Sequence, residues 1–123
     1  MSHIVTIMTE VRDHAAVCAA CRRLELPLPI TGTAQLFSGH VSGLIVRLPD
    51  CTYPVVIDTT TGQVHYDNYN GAWGDEQQLH RFLQAYVVEQ ARIEARKKSY
   101  LTTEQSLADG SILVDIEVRG GQA

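Results

Sequence analysis

The sequence predicts an α+β fold: a mostly antiparallel sheet with two helices packed on one face, in the order β-α-β-β-β-β-α-β-β. Three observations lead there. Seven short segments are rich in β-branched residues or alternate between apolar and polar. Two segments carry apolar residues at helical spacing. Turn-forming residues sit between consecutive strands, as hairpins require, and two helices are too few to serve as the crossovers of a parallel sheet.

Ile4 to Val11 alternates, with Val5, Ile7 and Val11 on one side, and reads as a half-buried strand. Asp13 is an N-cap candidate for a helix whose Val17, Ala20, Cys21 and Leu24 recur at helical spacing. Leu26-Pro27-Leu28-Pro29 ends it, because proline cannot continue the hydrogen-bond ladder. Ala34 to Ser38 and Val41 to Leu48 form two strands about the turn at Ser38-Gly39-His40. Tyr53 to Asp58 and Gln63 to Tyr66 form the next hairpin, around Thr59-Thr60-Thr61-Gly62, while Pro49 and Pro54 mark a sheet edge or corner.

Asp67 to Gly74 is dense in turn formers and reads as a loop. Asp75 then caps a long helix, with Gln78 in a capping-box-like position and Leu79, Phe82, Leu83, Tyr86, Val87 and Ala91 as its apolar stripe. Glu94 and Lys98 stand at i,i+4. Arg92, Arg96, Lys97 and Lys98 suit the negative end of the helix dipole. Tyr100 to Leu107 and Ile112 to Val118 make a last hairpin, with Asp109-Gly110 supplying the turn and Ile112, Val114, Ile116 and Val118 sharing one face. Residues 1–119 form a single domain on this reading, and residues 120–123 fray.

Composition narrows the function classes. The 123 residues are 45% hydrophobic, enough for one globular core. Ten basic against fourteen acidic residues give a net charge of −4, which disfavours nucleic acid as a partner. No apolar run is long enough to span a bilayer, and Met1 to Val5 carries no export signal, so a cytoplasmic protein without membrane contact is expected. Cys18, Cys21 and Cys51 are an odd number of cysteines, expected to be free thiols.

Two constellations carry chemistry. Cys18-Ala19-Ala20-Cys21 has the spacing of a redox pair or half a zinc site, yet it lies in the second turn of its helix rather than at the N-terminus that would activate a thiol. Cys21 also falls on the apolar stripe, where cysteine acts as a small hydrophobe. The other constellation is His65, Tyr66 and Asp67 with Tyr69, Trp73 and Asp75, the densest polar-aromatic group in the chain. His65 could serve as a base oriented by Asp67 while Tyr66 faces the core, since residues two apart share a strand face. A recognition loop is the alternative use of the same six residues. No catalytic set, metal-ligand set or cofactor motif emerges, so no catalytic residue, metal or cofactor is assigned.

Four segments in order carry a family resemblance: Met1-Ser2-His3-Ile4 running into Thr9 to Asp13; Tyr66-Asp67 followed by Trp73-Gly74; Tyr86 through Glu89-Gln90; and Glu104 followed by Asp109 to Ile112. Together the chain resembles the family of domain of unknown function twelve-fifty-seven, which includes the hypothetical chloroplast open reading frame thirty-five. The family has no established activity. The resemblance implies a small cytoplasmic or stromal protein, often encoded near a AAA-type ATPase, and hence an accessory role.

The leading expectation is therefore a non-enzymatic binding or adaptor module for a protein partner such as a AAA-type ATPase. A small enzyme or ligand-binding protein using His65, Asp67 and Trp73 is the second reading, and a thiol or metal protein using Cys18 and Cys21 the third. Edge strands with few protections also leave homodimerisation open.

Overall fold

The computed structural model describes residues 5–7, 10–36, 39–67 and 76–117. Its elements are β1 (Val5–Ile7), α1 (His14–Arg23), β2 (Ile30–Leu36), β3 (Gly39–Val46), β4 (Val55–Asp58), β5 (Gln63–Tyr66), α2 (Glu76–Lys97), β6 (Leu101–Ser106) and β7 (Ile112–Glu117). The order is the expected one. The strands divide into two antiparallel sheets: five strands in the order β1-β5-β4-β3-β2, and the β6-β7 hairpin by itself.

Strand alternation decides which residues meet the helices. Leu44 and Val46 of β3, Val55 and Ile57 of β4, and Val64 and Tyr66 of β5 are cross-strand neighbours. They form one buried cluster with Val17 and Cys21 of α1 and with Leu79, Phe82 and Tyr86 of α2. Both helices thus cover the same face.

Val56 points the other way and is fully buried with Ala34 and Leu36 of β2. Gly32 and Gly43 explain how, because they face each other across the β2-β3 pair. A Cβ on Gly43 would fall 2.3 Å from the Ile57 carbonyl oxygen, and its φ of +154° also favours glycine. The hairpin passes that close to β4, and its outer half carries Ala34, Leu36 and Val41 into the cluster around Val56.

α1 begins as expected, with Asp13 accepting a hydrogen bond from the Ala16 N–H at 3.2 Å. Its start is also fixed from α2, because the backbone N–H groups of Arg12 and Asp13 both donate to the Tyr86 hydroxyl, at 3.2 and 3.1 Å. The helix ends three residues before Leu26 by a turn closed on itself: Leu26 N–H donates to the Cys21 carbonyl and Glu25 N–H to that of Arg22. Glu25 takes the left-handed conformation (φ 57°) that glycine usually supplies. Ser99 (φ 59°) ends α2 the same way, with Tyr100 N–H donating to the Ala95 carbonyl.

Several local expectations change. Pairing with β3 starts β2 at Ile30 rather than Ala34, Val11 lies beyond β1, and Gly39 and His40 of the expected turn are paired in β3, the connection at 37–38 lying outside the described residues. The Asp109-Gly110 turn is wider than a two-residue hairpin turn: only Gly110 has positive φ, and the Asp109 carboxylate accepts from both the N–H and the hydroxyl of Ser111. Glu94 pairs with Lys97 at 3.1 Å rather than with Lys98.

Candidate functional site

Three residues of the polar-aromatic group around β5, His65, Tyr66 and Asp67, lie among the described residues. Tyr66 is buried in the helix-side core, as alternation predicts, and His65 sits half-buried beside Val56 on the opposite face. Asp67 is buried just beyond the strand end. Neither of its carboxylate oxygens has a hydrogen-bond partner among the described residues, so His65 is not oriented by it. The base-and-orienter arrangement is therefore not assembled. Tyr69, Trp73 and Asp75, including the expected cap of α2, lie outside the described residues.

The cysteine pair is equally unlike a reactive site. Cys18 and Cys21 carry free thiols. Cys21 is fully buried, and removal from water, with a smaller push from Cys18, raises its pKa to about 11. At neutral pH it is a protonated, hydrophobic thiol. Among the described residues no group of three or more histidine, cysteine or acidic side chains could hold a metal ion.

What α2 and the β6-β7 hairpin build between them is more distinctive. On α2, Leu79, Phe82, Tyr86 and also Ala85 and Val88 are buried, whereas Val87, expected on the core stripe, is 51% exposed. The expected stripe was one row too wide. Leu83, Val87 and Ala91, spaced four residues apart, form the ridge beside the core rather than part of it. Facing that ridge are Ile112, Val114 and Ile116 of β7, on one face by strand alternation. The two apolar rows enclose an open groove of about 530 Å³.

Polar contacts join the hairpin to the helices around the groove. At one end Gln84 donates to the Gly110 carbonyl at 3.0 Å. Alongside the groove, Glu104 of β6, the cross-strand partner of the central Val114, meets two arginines. Arg23 of α1 bonds both Glu104 and Glu89, the latter at 2.8 Å. Arg92 of α2 reaches Glu104 at 3.1 Å and Glu89 at 3.7 Å. The four charges alternate in a closed ring that joins α1, α2 and β6. Hydrogen bonding from Arg23 holds the Glu104 carboxyl below the ordinary carboxylate range, and the same contact raises Arg23. The helix-dipole account therefore fails for Arg92, which the two carboxylates engage; it still suits Arg96 and Lys97 in the last turn.

The groove also has an open side. Among the described residues β7 has β6 as its sole strand neighbour, and its other edge is unpaired. Two signals for this site were present in the sequence: an apolar stripe on α2 wider than one core needs, and a strand with three apolar residues on one face. Their meeting was not readable, because it depends on the hairpin leaving the main sheet.

Among the described residues no helix is long and apolar enough to cross a membrane. Compared with known proteins, the chain matches no family model, no curated protein and no solved structure.

Proposed function

We propose that the protein is a non-enzymatic docking module: a cytoplasmic adaptor that binds a protein partner in the groove between α2 and β7. One observation carries the reading: an apolar groove whose wall residues Val87 and Ile116 are 51% and 41% exposed, with polar contacts at its Gly110 end and along β6. A soluble chain gains nothing for its own stability from leaving such residues in water, and exposed apolar patches of this kind mark interaction sites. The choice of a AAA-type ATPase as partner rests on the family resemblance in the sequence.

A photo-crosslinking residue placed at Val87 in the native host tests it, with Thr60, exposed on the β4-β5 turn, as the control position. The expected result is one discrete adduct, dependent on the Val87 position and containing the ATPase. An adduct with another protein keeps the docking reading and removes the ATPase. Absence of an adduct, or the same products from both positions, refutes the docking reading.

A further inference from the structure

We infer that the occupant of this groove is an extended segment of the partner that adds a strand to the free edge of β7, with apolar residues alternating with lysine or arginine. The inference rests on the docking reading and specifies what is docked.

Backbone and side chains point to the same mode. Among the described residues the outer edge of β7 is unpaired, and alternate residues along its six turn their backbone N–H and C=O outward, with no proline to block a further strand. A strand laid beside it continues the pleat, so every second side chain comes over the groove and the rest turn outward. Over the groove lie Val87 and Ile116, which call for apolar residues. Outward, β7 presents Asp115 and Glu117, both exposed. Their partners within the hairpin are Thr103 and Leu101, neither a cation, and neither acid makes an ion pair among the described residues. Arg23 and Arg92 are committed to Glu89 and Glu104 on the opposite, groove-side face. A side chain opposite Asp115 or Glu117 on an added strand lies about 5 Å away, where a cation is favoured and an anion opposed.

Charge also argues against a second copy of this chain. Antiparallel pairing of two β7 strands about Asp115 sets acid against acid. Pairing about Val114 sets Asp115 against Leu113. Neither register supplies a cation.

The test compares three capped peptides as long as β7: lysine alternating with valine, glutamate alternating with valine, and the same lysines and valines in two blocks. Binding to the full chain is measured by calorimetry, with amide exchange followed by NMR. The alternating lysine peptide is expected to bind at least about tenfold tighter than either other peptide, to weaken with added salt, and to slow exchange of β7 amides. Asp115→Lys with Glu117→Lys is expected to transfer the preference to the glutamate peptide. Should that variant not fold, the salt dependence of the parent carries the same information. Equal binding of alternating and blocked lysine peptides, unprotected β7 amides, no binding of any peptide, or self-association through β7 overturns the inference. If the Val87 adduct still forms in that case, the docking reading stands and only the basic strand is lost.

Discussion

Replacing Tyr86 by phenylalanine removes one oxygen atom from the centre of the fold and leaves the ring in place. That oxygen accepts from two consecutive backbone donors, Arg12 N–H at 3.2 Å and Asp13 N–H at 3.1 Å, at the point where the chain enters α1. Tyr86 is 1% exposed, so water has no easy route to replace it. A buried donor left without an acceptor costs about 1–3 kcal/mol. Arg12 is exposed and Asp13 half-buried, which places each at the lower end, so the pair should cost about 2–3 kcal/mol. Urea unfolding followed by circular dichroism reads this directly: with a slope of about 1.5–2 kcal/mol/M, the midpoint should fall by roughly 1–2 M. Asp13→Ala, which frees the adjacent Ala16 donor, should cost about 1 kcal/mol, and less once Tyr86 is already phenylalanine. A Tyr86→Phe protein within about 0.5 kcal/mol of the parent would refute the claim that this hydroxyl organises the start of α1.

Three other outcomes follow from the same structure. Gly43→Ala should cost roughly 3–5 kcal/mol in chemical denaturation, because its Cβ meets the Ile57 carbonyl oxygen as well as an unfavourable φ. Gly39→Ala, whose Cβ meets nothing, should cost about 1–2 kcal/mol at most, and equal losses would contradict the close-approach argument. Glu104→Gln should cost about 1–2 kcal/mol by opening the charge ring. Because the folded-state pKa of Glu104 is depressed, its contribution is present above the ordinary carboxylate range and is lost as pH falls through the folded value. The acid side of the parent's stability profile should therefore be steeper than that of Glu104→Gln, and identical profiles would remove the ring. Cys21 should resist a thiol reagent at pH 8 until the protein unfolds, and fast labelling of Cys21 in the folded state, mapped by mass spectrometry, would contradict its burial.

Local rules found the elements but not their assembly. Asp13 as N-cap, Tyr66 facing the core and the Thr59 to Gly62 turn follow from side-chain chemistry and period-two alternation, which act within a few residues. The helix ends are different. Glu25 and Ser99 hold a left-handed conformation without the glycine that usually announces it, so the sequence marked the neighbourhood of each helix end, by Pro27 and by Arg96 to Lys98, but not the capping residue itself. The width of the α2 stripe was visible, yet its division into a core row and a groove row depends on β7 facing Leu83 and Val87 from a separate sheet. Tyr86 shows the same limit, because an apolar position by spacing proves to be a hydrogen-bond acceptor for residues over seventy positions away. The β5 group shows the converse: spacing in sequence suggested that Asp67 orients His65, yet among the described residues the buried Asp67 carboxylate makes no hydrogen bond.

The docking claim rests most directly on Val87, half exposed on a helix whose next residue, Val88, is 4% exposed. Val87→Asp should leave the urea midpoint within the range of an ordinary surface change, about 0.5 kcal/mol, while abolishing capture of the partner by the purified protein. Unchanged capture by a folded Val87→Asp protein would contradict the account, as would a loss of stability as large as that of Val88→Asp, which would place Val87 in the core instead.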